Sequence, residues 1–265
     1  MKIGYVQMAP VLGDAGATIT RLEPLLVNAT GADLLVLPEL CNSGYNFTSR
    51  EQAMASAESA GDGRFVRFLV EQCRKLDCHI VAGLNERDGE QLFNSSVLIG
   101  SKGVLGVYRK LHLFVNEKDI FSPGNLGLPV FDLGFCRVGM LVCFDWRFPE
   151  AWRALALEGA DIICHPSNLV VPDQAQRVVP VHALLNRVFV VTANRIGAEG
   201  DLTFTGRSII SDPGGTVLSE APAESKQVAT VVVDIAQARD KAVTPRNDAF
   251  ADRRPDQYRR LVEAD

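Results

Sequence analysis

The fold this sequence predicts is α/β: a four-layer α-β-β-α sandwich with an internal pseudo-twofold duplication, in a single domain spanning residues 1–265. Three observations predict it. Four segments recur in the same order, which marks a duplicated architecture. "KIGYVQM" (2–8) is matched by "RVGMLVC" (137–143), and "GADLLVLPEL" (31–40) by "GADIICHPSNL" (159–169). "CHIVAGLNER" (78–87) is matched by "FVVTANRIG" (189–197), and "SSVLIGSKGVLG" (95–106) by "RSIISDPGGTVLS" (207–219). Second, strand and helix patterns alternate within each half, about 1–110 and 136–235, so each half carries a sheet that helices must cover. Third, "LLVL", "DIIC" and "VFVV" are apolar at nearly every position, as strands buried on both faces are. Two such sheets bury each other and leave helices outside.

Each half opens with an apolar strand, then a helical stretch. In the first half that stretch is 17–29, and Pro24 inside it either delays the helix start or kinks it. Gly-Ala-Asp and a β-branched strand ending at Pro follow. "GRFVRFLVEQCRKLD" (63–77) has apolar residues at helical spacing. Another strand leads into a hairpin whose turn is Ser-Lys-Gly in one half and Asp-Pro-Gly-Gly in the other. In "PEAWRALALEG" (149–159), Pro149 suits a helix N-terminus and Gly159 a C-cap. The arm at about 244–265 lies outside the repeat, and its Pro and charge content predicts an extended segment with a short helix.

Bulk properties narrow the function. Apolar residues at 47% and charged residues at 22% fit a soluble globular chain. A net charge of −5 with no basic run argues against nucleic acid or an anionic membrane as partner. No apolar stretch reaches the ~20 residues of a membrane span, and "MKIGYVQMAP" lacks the long apolar run of a signal peptide. The expectation is cytoplasmic, so the six cysteines read as thiols. None forms a CxxC pair, and no metal site is expected. No GxGxxG follows the first strand, and no GxSxG elbow or P-loop is present.

The duplication supplies a test for chemistry. A residue that follows the repeat is explained by packing; a reactive residue that breaks it is explained less well. Cys143 stands opposite Met8, Glu39 opposite Ser167, and Lys110 opposite Pro222. Cys143 and Glu39 follow buried strands and Lys110 ends a hairpin strand, and sites of α/β sheets collect beyond such ends. Taken singly, the thiol also reads as an inert core cysteine, the carboxylate as a helix-start acid, and the amine as a solvated edge-strand charge.

"LPEL", "YRKLHLF" and "LVCFDWRFPE", in this order, resemble the carbon–nitrogen hydrolase family, the nitrilase superfamily. "NEKDIFSPG" (116–124), "HPSNL", "NRVFVVTANRIG" and "GRSIISDPGG" extend the resemblance to about residue 235. It implies an α-β-β-α sandwich, a nucleophile at Cys143, a base at Glu39, a lysine at Lys110 and a second glutamate at Glu117. It implies pairing into homodimers or higher homo-oligomers, with the arm crossing a dimer interface. The residue types suit amide hydrolysis through a thioester, with Lys110 and the backbone N–H of Phe144 holding the oxyanion. No metal or organic cofactor is required. An amidase acting on a small aliphatic amide is the first expectation, a nitrilase the second and an N-carbamoyl amine hydrolase the third; a scaffold that lost turnover is the non-enzyme alternative.

Other residues divide between substrate contact and packing. Tyr45 lines the mouth or packs a loop. Trp146 and Phe144 flank the thiol and shape the pocket. Asn168 contacts substrate or caps a turn. Arg147, Arg187 and Arg195 bind a substrate carboxylate or make surface pairs. His165, on the strand matched with "LLVL", reaches the site or lines its wall, and His112 supports the lysine loop.

Overall fold

The computed structural model describes residues 1–263. The first half contains β1 (Lys2–Gln7), α1 (Ala15–Val27), β2 (Leu34–Val36), α2 (Arg50–Ala55), α3 (Arg64–Leu76), β3 (His79–Asp88), β4 (Gln91–Gly100) and β5 (Gly103–Arg109). A connection bearing α4 (Glu117–Ile120) and β6 (Val130–Asp132) leads to β7 (Arg137–Met140), α5 (Pro149–Leu157), β8 (Ile162–Pro166), α6 (Gln174–Asn186) and β9 (Phe189–Ala193). A small hairpin, β10 (Ala198–Glu199) and β11 (Leu202–Thr203), precedes β12 (Ile209–Ser211), β13 (Val217–Glu220), β14 (Gln227–Val232), α7 (Ala236–Arg239), β15 (Ala242–Thr244) and β16 (Asn247–Asp248).

Among the described residues the main strands form two six-stranded sheets, ordered β14-β1-β2-β3-β4-β5 and β13-β12-β9-β8-β7-β6. Register follows the repeat. Leu34 pairs in parallel with Ile3 and His79, and its counterpart Ile162 pairs in parallel with Val138 and Phe189. The outermost strands are exchanged. β6 follows the first half but pairs antiparallel with β7 of the second sheet, and β14 ends the second half but pairs with β1 of the first.

Alternation along the strands fixes the layers. Ile3, Tyr5, Leu34, Val36, Val81 and Leu98 meet Val138, Met140 and Ile162 between the sheets. Val6, Leu35, Leu37, Ile80 and Ile99 turn the other way, onto Leu22 and Leu26 of α1 and Phe65 and Leu69 of α3. On the far side, Trp152 and Leu155 of α5 and Val179 and Ala183 of α6 cover the second sheet. The result is the expected α-β-β-α sandwich.

Helix α1 starts earlier than expected, because the Asp14 carboxylate accepts from Ala17 N–H at 2.8 Å and caps it. It runs through Pro24 to Val27 without starting late. The arm carries two 3₁₀ turns, Pro255–Gln257 and Arg259–Leu261, in place of one short helix. Among the described residues no helix is long and apolar enough to cross a membrane.

Candidate active site

Four chain segments converge where β2, β5 and β7 end. Glu39 follows β2 by three residues, and the neighbouring strand β3 holds its backbone. Gly83 N–H donates to Pro38 O at 3.0 Å, and Cys41 N–H donates to Gly83 O at 2.9 Å. That approach needs a glycine, since a Cβ on residue 83 would lie 2.3 Å from Glu39 Cα. Lys110 follows β5. Its N–H donates to Asn94 O, and its carbonyl accepts from Gly124 N–H at 2.9 Å. Glu117 is the first residue of α4. Cys143 opens a 3₁₀ turn, Cys143–Arg147, with φ at +43°.

Glu39, Lys110, Glu117 and Cys143 are all buried. Lys110 Nζ donates to Glu39 Oε1 at 2.7 Å and to Glu117 Oε1 at 2.8 Å. Asn94 Nδ2 donates to Glu39 Oε1 at 2.7 Å and reaches Glu117 Oε2 at 3.4 Å. Tyr45 Oη donates to Glu117 Oε1 at 2.8 Å. Glu39 Oε2 is buried with no hydrogen-bond partner among the described residues.

Charge and burial set the protonation states together. Burial works against the Lys110 ammonium, but the Glu117 and Glu39 carboxylates outweigh it and hold its pKa above the ordinary lysine value. Burial raises Glu117, Lys110 opposes this, and Glu39 adds to it. Burial also pushes the Cys143 thiol well up, Glu39 pushes it further, and Lys110 and the Asn168 backbone N–H pull it back. The resting sulfur is therefore a thiol.

A cavity of about 290 Å³ opens on Cys143, walled by Phe114, Phe144, Trp146, Arg147 and Asn168 among others. A second lobe of about 110 Å³ runs past Tyr45 and Glu117 and shares Phe114 and Val170 with the first. Tyr45 is thus a partner of Glu117 as well as a wall. Asn168 lines the cavity while its Nδ2 donates to Glu39 O at 3.1 Å, and its Oδ1 is buried without a partner among the described residues. Of the three arginines, Arg147 reaches the cavity. Arg195 is buried in a pair with Glu199 at 2.6 Å, and Arg187 ends α6 with its Nε donating to Asp240 O at 3.1 Å.

Three contributors were not singled out by the sequence. Asn94 is signalled there only as one of the polar residues, with Ser95 and Ser96, in the buried middle of β4. Asp145, fully buried, accepts from Val142 N–H and Tyr108 Oη, both at 2.8 Å, and its other oxygen lies 2.7 Å from His112 Nδ1. It ties the turn bearing Cys143 to residues two before and two after Lys110. Glu199 accepts from the N–H groups of Tyr45 at 2.9 Å and Asn46 at 2.7 Å, and so holds the loop that aims Tyr45.

The carbon–nitrogen hydrolase family profile matches residues 2–242. The chain is a carbon–nitrogen hydrolase. This hydrolase is 45% identical to a nitrilase from Pyrococcus abyssi over 260 residues, 97% of this chain and 99% of that one. It is 37% identical over 225 residues to an (R)-stereoselective amidase from Pseudomonas, covering 83% and 81% of the two chains. An amidase from Nesterenkonia superposes with a TM-score of 0.82 at 27% identity, over 99% of this chain and 96% of that one. One solved form of the Nesterenkonia amidase carries the product of acrylamide addition at its active-site cysteine.

Proposed function

We propose that this hydrolase cleaves a small aliphatic amide to a carboxylic acid and ammonia through a thioester on Cys143. The reading is carried by one observation: Lys110 Nζ bonded to Glu39 and Glu117 at 2.7 and 2.8 Å, with Glu39 Oε2 unpartnered, beside a cavity that opens on Cys143. As Sγ attacks the amide carbon, Glu39 takes the thiol proton, so no thiolate has to persist in a buried site. Lys110 and the Phe144 N–H, near the start of a 3₁₀ turn where N–H groups lack internal partners, receive the oxyanion. Glu39 returns the proton to the departing nitrogen and ammonia leaves. It then takes a proton from water, which attacks the thioester carbon, and hands that proton to the sulfur. Glu117 holds Lys110 in place, and Tyr45 holds Glu117. Trp146 and Asn168 bound the acyl group.

Arg147 supports a carboxylate at the far end of the substrate. It is the one cation on the cavity wall, and among the described residues it has no carboxylate partner, only the Trp146 ring at 5.6 Å. A nitrile is the second reading, favoured by the 45% identity to a nitrilase. The same attack would give a thioimidate, and water would release ammonia and then the acid. The proposal includes a cytoplasmic homodimer, supported by exposed Val181, Leu184 and Leu185 on α6 and Leu157 on α5.

The test is ammonia release from short amides, ω-amides of dicarboxylic acids, carbamoyl amines and dinitriles, with Cys143→Ala as control. Release from amides that vanishes in the control supports the first reading, with ω-amides favoured over neutral amides of equal length. Faster release from dinitriles supports the second. Ammonia release undiminished in Cys143→Ala refutes both.

A further inference from the structure

His165 is a buried histidine that this reaction scheme leaves idle, and it breaks the repeat: the matching position in "LLVLPEL" is Leu37, which packs beneath the helices of the first half. The ring lies on β8 with no solvent exposure. Its Nε2 stands 2.8 Å from the Cys143 carbonyl oxygen and its Nδ1 3.1 Å from Thr192 Oγ1 on β9. A carbonyl only accepts, so Nε2 carries the proton. Burial holds the imidazole down to about 4, so Nδ1 is bare at neutral pH and accepts from the Thr192 hydroxyl. Ser167 Oγ, 3.3 and 3.4 Å from the two ring nitrogens, and the Trp152 ring at 5.7 Å close the remaining sides. Both nitrogens are engaged away from Sγ, so the ring is not placed to act as a base.

The bonded carbonyl has a consequence one atom further on. The Cys143 C=O and the Phe144 N–H belong to one planar peptide group, with oxygen and hydrogen on opposite sides. Fixing the oxygen fixes the direction of the N–H. The need is real, because Cys143 sits in the left-handed region, which a non-glycine residue holds only when its surroundings impose it. An acceptor already engaged also makes the N–H of the same peptide a stronger donor.

We propose that His165 is a positioning residue for the oxyanion donor: its bond to the Cys143 carbonyl aims the Phe144 N–H at the developing charge. The inference rests on the reading that Cys143 is the nucleophile and Phe144 N–H an oxyanion donor. His165→Leu removes the donor at similar volume, while His165→Gln returns an N–H near the Nε2 position. Turnover in His165→Leu should fall roughly 10- to 100-fold, part of the loss that follows removal of an oxyanion donor, with KM within threefold. His165→Gln should recover most of it.

Alkylation of Cys143 by iodoacetamide supplies the readout that a merely structural role would move. Displacement at an sp³ carbon forms no oxyanion, so its rate in His165→Leu should stay within threefold of wild type. Turnover within threefold of wild type, alkylation falling in parallel with turnover, or no recovery in His165→Gln would each overturn the proposal. If His165→Leu does not fold, Thr192→Val carries the test. Loss of the hydroxyl that orients the ring should lower turnover several-fold with alkylation unchanged, and unchanged turnover overturns the proposal. Failure of the underlying reading is distinct: wild-type enzyme fully alkylated at Cys143 would still release ammonia.

Discussion

Replacing Lys110 with alanine perturbs catalysis and stability together, and the two effects separate with pH. The ammonium lies 2.7 and 2.8 Å from two carboxylates, and all three groups are buried. At an effective dielectric of about 20, each contact is worth roughly 6 kcal/mol of Coulomb attraction. Desolvation of three charges and repulsion between the carboxylates offset most of it. Breaking a buried pair by deleting one partner costs about 3–5 kcal/mol, and Lys110→Ala should lose that much at pH 7. Without the ammonium, which opposes the effect of burial, the Glu117 pKa rises further in the folded state. Between the unfolded value near 4.5 and that raised value the folded protein then holds more protons, so its stability increases as pH falls. The stability gap to wild type should therefore narrow from pH 7 to pH 5 in urea melts followed by circular dichroism. Turnover should fall at least 10³-fold at both pH values, since an oxyanion donor and the counter-ion of Glu39 are lost together. A variant as stable as wild type at pH 7, or one within tenfold of its turnover, would refute the reasoning.

Two further outcomes follow from the buried groups. Asp145→Asn replaces an acceptor of several hydrogen bonds with a group whose N–H must face a donor, so it should lose about 2–4 kcal/mol and at least tenfold in turnover; full activity in the folded variant would show that the turn carrying Cys143 needs no tie to the lysine loop. His165 has a folded pKa of about 4 against an ordinary 6.5, so its contribution is fully present above about pH 6.5 and is lost as pH falls toward 4, a difference of about 3 kcal/mol. His165→Gln should therefore lose less stability than wild type between pH 7 and pH 4.5, and identical pH dependence in the two proteins would contradict a buried neutral ring.

What could be read in the sequence was whatever the duplication or a short motif encodes locally. The layers follow from the repeated strand–helix order and from the continuously apolar runs "LLVL", "DIIC" and "VFVV", and Glu39, Lys110 and Cys143 stand out because the duplication sets them opposite Ser167, Pro222 and Met8. Asn94 did not stand out, because its meaning lies in two carboxylates 55 and 23 residues away. Asp145 was hidden in the motif it supports, since nothing in "CFDW" indicates that its carboxylate faces Tyr108 and His112. Between substrate contact and pairing the sequence does not choose for Arg195; Glu199, four residues on, neutralises it, and only the fold brings that buried pair beneath Tyr45. The pairing of β14 with β1 had no sequence signal at all, because strand adjacency across more than two hundred residues leaves no local pattern.

That pairing has a consequence for synthesis. The first sheet carries Glu39 and Lys110 and could assemble as soon as β5 emerges, yet the partner of β1 is β14, whose residues 227–232 arrive more than a hundred residues later. At roughly 5–20 residues per second, the hydrogen-bonding edge of "KIGYVQ" stays open for on the order of ten seconds, an invitation to pair with another nascent chain. Of the strands in the two large sheets, the last to be made is the one that closes the first. A chain cut short before residue 227 would thus keep its lysine–glutamate cluster on a sheet with a bare edge, and its hazard would be aggregation before any loss of chemistry.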